Sequence, residues 1–296
     1  MNILITGGSG FIGSHIVERL ISNEHEVRVL DIKPPHILGI DFVEGSILDS
    51  SLVKKAMSGI DVVYHLAGVS NIDLVKDSPL QTIEFNVLGT AYMLEEARHQ
   101  DVKRFILASS VYVYEKGGHL YTFSKLASEM LCENYFNLYN LPYTILRLAT
   151  AYGPRNREAD VISIFINNAV NDRGICVKGS GEQVRNFIYV EDLAEGSVVA
   201  LDKKCENQVL TLAGKESTSI RELAIIVQNM FSSKIDITFD NKNTRQQDHH
   251  GSINGLQETF EILNWKPRIG IKVGLKKYIN WYKSISHKMD NKVHNL

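Results

Sequence analysis

Through the first half of the chain, short apolar runs alternate with segments of helical period. NILIT (2–6), EVRVLD (26–31), 41–43, 61–65, RFILASS (104–110) and YTILRLA (143–149) have strand length and the near-continuous apolar character of strands buried on both faces. Between them, apolar residues three and four apart predict helices from the glycine-rich turn to about Asn23, near 50–58, from about 80 to 99 and over 122–141. Strands alternating with helices of this length predict a parallel sheet covered by helices on both faces, an α/β fold. After GPRN (153–156) the rhythm changes. A helix pattern at 160–173 precedes a short strand near CVKG, then comes NFIYVEDLAEG, and two more helix patterns follow at 219–231 and 255–263. This predicts a doubly wound domain over 1–155, rejoined by 184–212, and a smaller lobe from 156–183 and 213–288. Residues 289–296 would be a tail, since the chain after Lys283 lacks an apolar stripe.

Composition changes this picture little. The 296 residues are 44% apolar and 22% charged, an ordinary globular mixture. A net charge of −2 offers no global attraction to nucleic acid or to an anionic membrane. No apolar run approaches the roughly 18–20 residues of a membrane helix. Cys132, Cys176 and Cys205 are widely spaced and odd in number, which fits neither a metal cluster nor a disulfide framework and favours a reducing cytoplasm. No signal peptide is visible before the first strand, which points the same way. The adjacent His249 and His250 lack an evident third metal ligand, and neighbours in an extended loop point apart. His65 follows its strand as a packing residue.

The chemistry begins in TGGSGFIGSH (6–15), between the first strand and the first helix. Glycines at 7, 10 and 13 let the backbone turn tightly and bring the N–H groups of the helix start to a pyrophosphate. The next strand ends at Asp31. A carboxylate there can accept hydrogen bonds from both ribose hydroxyls and repels a 2′-phosphate, which favours NAD over NADP, although Lys33 would offset part of that repulsion.

The second candidate lies in SSVYVYEKGGHLYTFSK (109–125), which contains Tyr-x-x-x-Lys twice. A four-residue spacing brings two side chains together only on a helix. Tyr112 and Lys116 straddle VYVY and a Gly-Gly, which predicts an extended strand end with Tyr112 and Tyr114 packing or lining a cleft. Tyr121 and Lys125 open a segment with apolar residues at helical spacing, so they share a turn. A free tyrosine has a pKa of about 10, and a neighbouring ammonium and a cationic nicotinamide both favour the phenolate. Such a tyrosine can exchange a hydroxyl proton while hydride moves to or from NAD. Ser110, at the preceding strand end, can hydrogen-bond the same substrate oxygen.

With these residues in place, the chain resembles the extended short-chain dehydrogenase/reductase family, specifically its NAD-dependent nucleotide-sugar epimerases and dehydratases, with UDP-glucose 4-epimerase-like character. TGGSGFIGSH looks like the family's cofactor turn, HLAG (65–68) like its strand-end segment beside the cofactor, and NVLGT (86–90) like its Asn-Val-x-Gly-Thr. SSVYVY is similar to Ser-Ser-x-x-Val-Tyr, which puts Ser110 at the catalytic hydroxyl. YTFSKLASE resembles Tyr-Gly-x-Ser-Lys-x-x-x-Glu, which selects Tyr121 and Lys125. LRLATAYGP, VKGSGEQVRNFIYVEDLAEG and LNWKP resemble segments of the second half. The resemblance implies a Rossmann-type sheet with a C-terminal substrate lobe. It implies an NAD site formed by Gly7, Gly10, Phe11, Ile12, Gly13, Asp31, Ile32, Ser46, Ile47, Leu66, Ala67, Gly68, Asn86, Tyr121, Lys125 and Leu148. It also implies substrate contacts from Ser110, Thr150, Arg185 and Arg245, the arginines on the diphosphate. A homodimer would form through the two long helices, which carry Tyr92, Met93, Met130 and Tyr135.

Departures from the pattern narrow the reaction. Thr150 replaces an asparagine, Asn186 an aspartate, Ser46 the aspartate beside the adenine, and Gln246-Gln247 a Pro-Gly. Ser110 and Tyr121 are eleven positions apart, well short of the family's usual spacing, which suggests a more open sugar pocket. Dehydratases and the related decarboxylase carry an acidic residue just after the catalytic hydroxyl, where this chain has Val111 and Tyr112. The expectation is therefore a 4-epimerase on a UDP- or dTDP-sugar, acting through a transient 4-keto sugar. The alternatives are an NAD(P)H-dependent keto-sugar reductase and a non-catalytic NAD-sensing protein on the same fold.

Overall fold

The computed structural model describes residues 1–70, 72–114, 119–231, 235–240 and 253–293. The described chain divides into two compact units. One comprises Met1–Leu148, Leu193–Leu212 and Ile253–Lys266, and the other Ala149–Asp192, Ala213–Ser252 and Pro267–Leu296. Three stretches group differently from the sequence reading: 149–155 and 184–192 with the second unit, and 253–266 with the first.

The first unit is a Rossmann-type α/β fold. In chain order it contains β1 (Asn2–Thr6), α1 (Phe11–Ser22), β2 (Glu26–Asp31), β3 (Asp41–Glu44), α2 (Ser50–Met57), β4 (Val62–His65), α3 (Ile72–Asp77), α4 (Pro79–Ile83), a π-helical turn (Glu84–Leu88), α5 (Gly89–His99), β5 (Arg104–Ser110), a 3-10 turn (Val111–Tyr114), α6 (Leu120–Tyr139) and β6 (Tyr143–Leu148). The second unit follows with β7 (Ala151–Tyr152), α7 (Val161–Val170), β8 (Ile175–Lys178), β9 (Val184–Arg185) and β10 (Ile188–Tyr189). α8 (Val190–Val199) leads back to β11 (Gln208–Leu212) of the first sheet; β12 (Thr218–Ser219), α9 (Ile220–Gln228), β13 (Ile237–Asp240), α10 (Leu256–Leu263) and α11 (Ile271–Val293) complete the order.

Seven parallel strands run β11-β6-β5-β4-β1-β2-β3. The crossover direction reverses between β1 and β4, and in such sheets ligands bind beyond the carboxyl ends of the strands at that point. Alternation along the strands explains the two layers of helices. Leu4, Leu30, Val63, Phe105, Leu107 and Ile145 share a core with Val53 and Met57 of α2, Met93, Leu94 and Ala97 of α5, and Cys132 of α6. On the opposite face the Tyr64 hydroxyl donates to the Ser197 carbonyl of α8, 2.8 Å away, and Arg19 of α1 pairs with Glu195. The second unit packs α7, α9 and α11 around paired β8 and β13, with Phe165, Ile175, Val177, Leu223, Val227 and Tyr278 buried.

Three segments differ from the sequence reading. The helix read over 80–99 is interrupted by the π turn, where the Gly89 N–H reaches back to the Glu84 carbonyl. The extended strand end read at 111–114 is a 3-10 turn, because the Ser110 Oγ accepts the Tyr112 N–H at 3.3 Å and starts a turn that two-residue alternation cannot reveal. The backbone of α11 continues to Val293 where a tail was read from 289. Once Leu275, Tyr278 and Ile279 anchor its first turns in the core, each added helical residue costs little.

Candidate active site

The glycine turn, Asp31, the segment after His65 and Ser110 lie at the carboxyl ends of β1, β2, β4 and β5, within the first unit. Gly7 bridges from β1 with φ +71°, and its N–H bonds the Leu30 carbonyl at 3.1 Å. A Cβ on Gly13 would lie 2.1 Å from the Gly7 carbonyl oxygen, so the turn closes only because that position is glycine. Gly10 is the N-cap of α1 and brings no side-chain cap. The N–H groups opening a helix lack intrahelical partners, and here they belong to Phe11, Ile12 and Gly13. Asp31 ends β2 facing the turn. Its Oδ2 accepts the Ser9 N–H at 3.0 Å and its Oδ1 the Lys33 N–H at 3.2 Å. A carboxylate offers about four lone-pair directions, so acceptors remain for ribose hydroxyls after both bonds. These features fit a dinucleotide: a glycine-only cradle, an uncapped helix start and an oriented carboxylate.

The flanking positions are less uniform. Ile32 follows Asp31 and is exposed. Ser46 follows β3, and its Oγ accepts the Leu48 N–H. The Ile47 side chain is buried in the core against Gly89. Leu66, Ala67 and Gly68 leave β4 toward the glycine turn. The Leu66 N–H bonds the Thr6 carbonyl at 3.1 Å, and the Ala67 N–H bonds Thr6 Oγ1 at 3.2 Å. Leu148 is buried at the end of β6, in register with Ser110.

Asn86 lies in the π turn and clamps three elements. Its Oδ1 accepts the Val69 N–H at 2.7 Å, while its Nδ2 donates to the Val69 carbonyl and to Ser124 Oγ, each at 2.9 Å. Ser124 sits between Tyr121 and Lys125 and donates to the Tyr121 carbonyl at 2.8 Å. Tyr121 and Lys125 occupy the first turns of α6, as the helical spacing requires. Lys125 is buried; its ammonium lies 5.9 Å from the centroid of the Tyr121 ring and donates to the Ala108 carbonyl at 2.8 Å. Burial pushes its pKa down to about 8, and Glu129 opposes that shift. Ser110, also buried, keeps its hydroxyl proton available, since it accepts rather than donates toward Tyr112. The Tyr112 ring meets Tyr121 edge-on at 6.3 Å, and the His119 ring lies tilted against both, at 5.5 Å from Tyr112 and 5.9 Å from Tyr121. Lys116, the other half of the duplicate pattern, and most of the short loop lie outside the described residues.

Polar residues that sequence reading passed over tie this site together. His65 is a hydrogen-bonded hub rather than simple packing. Thr90 Oγ1 donates to the Asn86 carbonyl at 2.6 Å, so at its 3.1 Å contact with His65 Nε2 it must accept. The ring is therefore the Nε2–H tautomer, and Nδ1 accepts from the Thr6 hydroxyl at 2.8 Å. Burial and then the charge of Lys125 push the His65 pKa down to about 3. Ser128 also donates to the Asn86 carbonyl, at 2.8 Å. Glu129, present in the motif but given no role, accepts from Ser109 and grips Arg147 with both oxygens. The NVLGT and Tyr-x-x-x-Lys-x-x-x-Glu strings carried the only signal for these residues.

Beyond Ser110, two of the substrate positions are among the described residues. Thr150 and Arg185 belong to the second unit. The Thr150 carbonyl accepts the Ile188 N–H at 3.0 Å, and Arg185 lies on β9 opposite Thr218 of β12. Arg245, Gln246 and Gln247, like His249 and His250, lie outside the described residues. Among the described residues no group of His, Cys, Asp or Glu could hold a metal ion, and no helix is long and apolar enough to cross a membrane.

Comparison with known proteins gives the same arrangement a family. Residues 3–213 match the model of the NAD dependent epimerase/dehydratase family. The chain is 33% identical to a putative UDP-glucose 4-epimerase of Methanocaldococcus jannaschii, over 95% of this chain and 98% of that protein. It is 29% identical to a UDP-N-acetyl-alpha-D-glucosaminuronate decarboxylase of Bacillus cytotoxicus, over 96% and 98%. Among solved structures it resembles the UDP-glucuronic acid 4-epimerase of Bacillus cereus in complex with UDP-glucuronic acid and NAD, at TM-score 0.86 and 26% identity, over 96% of this chain and 100% of that one. The glycine turn, the Tyr121–Lys125 turn and the sheet order thus sit in a chain that matches these enzymes from end to end, and it belongs to the NAD dependent epimerase/dehydratase family of extended short-chain dehydrogenases/reductases.

Proposed function

We propose that the protein is an NAD-dependent nucleotide-sugar 4-epimerase, acting on a UDP- or dTDP-sugar through a transient 4-keto intermediate. The observation that carries this reading is the Lys125 ammonium, buried one helical turn from Tyr121 and held by the Ala108 carbonyl at the end of the strand that bears Ser110. Bound NAD would supply hydride acceptance from sugar C4 and its return. The glycine turn would hold the pyrophosphate on the N–H groups of Phe11, Ile12 and Gly13, with Asp31 on the ribose hydroxyls. Tyr121 removes the proton of the sugar 4-hydroxyl as the ketone forms and returns it after the ketone presents its other face. Lys125 lowers the cost of negative charge on the phenol oxygen. Ser110 donates to the same substrate oxygen and stabilises the charge that develops there. Val111 and Tyr112, where dehydratases carry an acidic residue, offer no carboxylate for a second proton transfer. Arg185 and Arg245 would take the diphosphate, and a homodimer would form on α5 and α6. Phe123, Met130 and Leu138 recur along α6 as exposed apolar residues, and Leu88 and Tyr92 are exposed as well.

The test is to purify the protein, identify any co-purifying nucleotide by mass spectrometry, and follow UDP- and dTDP-sugars by NMR without added reductant. C4 inversion in wild type, reduced at least a hundredfold in Tyr121→Phe with NAD binding retained, is the expected result. Turnover only of a keto sugar, and only with added NADH or NADPH, would make the protein a reductase instead. A Tyr121→Phe variant that keeps its full biological effect would point to the NAD-sensing role.

A further inference from the structure

Behind the reactive end of β5 lies an ion pair that the proposed mechanism does not use. Glu129 stands one helical turn beyond Lys125 on α6, so the two side chains share a face. Its carboxylate is buried and accepts from three donors: Arg147 Nε at 3.0 Å, Arg147 Nη2 at 2.7 Å and the Ser109 hydroxyl. Arg147 comes from β6 and lies over the Tyr114 ring, 4.8 Å from its centroid. Tyr114 in turn bonds Thr211 Oγ1 of β11 at 2.6 Å. Residues 108, 109 and 110 are therefore each fixed by a different contact: Lys125 on the Ala108 carbonyl, Glu129 on Ser109, and the 3-10 turn on Ser110.

We propose that Glu129 is a positioning residue of the Tyr121–Lys125 pair: its carboxylate, held between Arg147 and Ser109, keeps Lys125 an ammonium and locks the strand end that carries Ser110 against α6. This rests on the reading of Tyr121 and Lys125 as the acid/base pair. The charge argument is direct. Lys125 faces Tyr121 and Glu129 on its own helix, neutral His65 of β4 and the Ala108 carbonyl of β5. Glu129 is the anion that opposes the desolvation of Lys125. On its other sides Glu129 faces Arg147, the Ser109 hydroxyl, and the neutral Cys132 and Tyr143, both of whose ionisation it disfavours. Arg147 pairs with the carboxylate through two hydrogen bonds, so Glu129 is not an isolated buried charge. Glu129 thus places the negative end of a paired charge on the helix face that it shares with Lys125, and both its oxygens are engaged by Arg147 and Ser109.

The experiment measures Lys125 itself. Full-length protein labelled with carbon-13 lysine is titrated by NMR, with the Lys125 signal assigned by Lys125→Met. Wild type should titrate near pH 8. Glu129→Gln should titrate at least one pH unit lower, a tenfold loss of proton affinity, and the alkaline limb of kcat should move with it. Glu129→Gln with Arg147→Met removes both charges, which guards against a single variant that fails to fold around an unpaired arginine. It should titrate between the two. Ser109→Ala keeps the charge and should leave the midpoint in place. A wild-type midpoint in folded Glu129→Gln, or in the double variant, would overturn the proposal, since a purely structural role lowers kcat without moving this titration. Full activity in Lys125→Met would instead strike down the acid/base reading, and the midpoint shift would still report the coupling to Glu129.

Discussion

His65 is held neutral by its surroundings: one ring nitrogen accepts from Thr6, the other donates to Thr90, and no space is left to solvate a charge. The sign of the consequence follows from linkage. The unfolded chain takes up this proton below about pH 6.5, whereas the folded chain does so only near pH 3. Between those values the unfolded state binds more protons, so stability falls as pH falls, by roughly 1.4 kcal/mol per pH unit from this residue. Urea unfolding of wild type and His65→Gln between pH 6.5 and 4 should show that extra slope in wild type alone. Parallel slopes would mean that His65 titrates freely. Leu-Ala-Gly after the histidine marks a strand end in the sequence, but nothing local says that two threonines distant in sequence will fix its tautomer.

At the scale of elements, the start of α1 and the π turn decide how the site is built. The glycine turn is legible because its glycines fall between a strand and a helix, and at Gly13 the Gly7 carbonyl leaves no room for a methyl group. Gly13→Ala should cost about 1–3 kcal/mol by overpacking against backbone and weaken NAD binding at least tenfold, measured by thermal unfolding and cofactor titration. Gly270→Ala, with no atom within 4 Å of its new Cβ, should stay within about 0.5 kcal/mol of wild type. The π turn is a different case. A single inserted residue leaves the apolar spacing of 80–99 almost unchanged, so periodicity reads one helix. Within the π turn, the Asn86 carbonyl accepts from the Thr90 and Ser128 hydroxyls and the Asn86 side chain bonds Val69 and Ser124.

At the scale of the whole molecule, the proposed homodimer gives a direct prediction. Phe123→Lys with Met130→Glu, on exposed positions of α6, should convert a dimer into a monomer by light scattering while leaving the fold intact. A wild-type protein that is already monomeric would remove this interface. Met93, read beside them as an interface residue, is instead fully buried in the core, because one step along a helix turns a side chain by about 100°. What the sequence determined by itself was whatever local spacing encodes. The strand runs, the glycine turn, Asp31 at a strand tip and the shared helical turn of Tyr121 and Lys125 all follow from local spacing. Tertiary structure alone decided which distant groups meet: Glu129 with Arg147 and Ser109, Thr6 and Thr90 with His65, and Asn86 with Val69 and Ser124. Those pairings depend on strand order and on how α6 packs over β5 and β6, and neither is written in the spacing of any one segment.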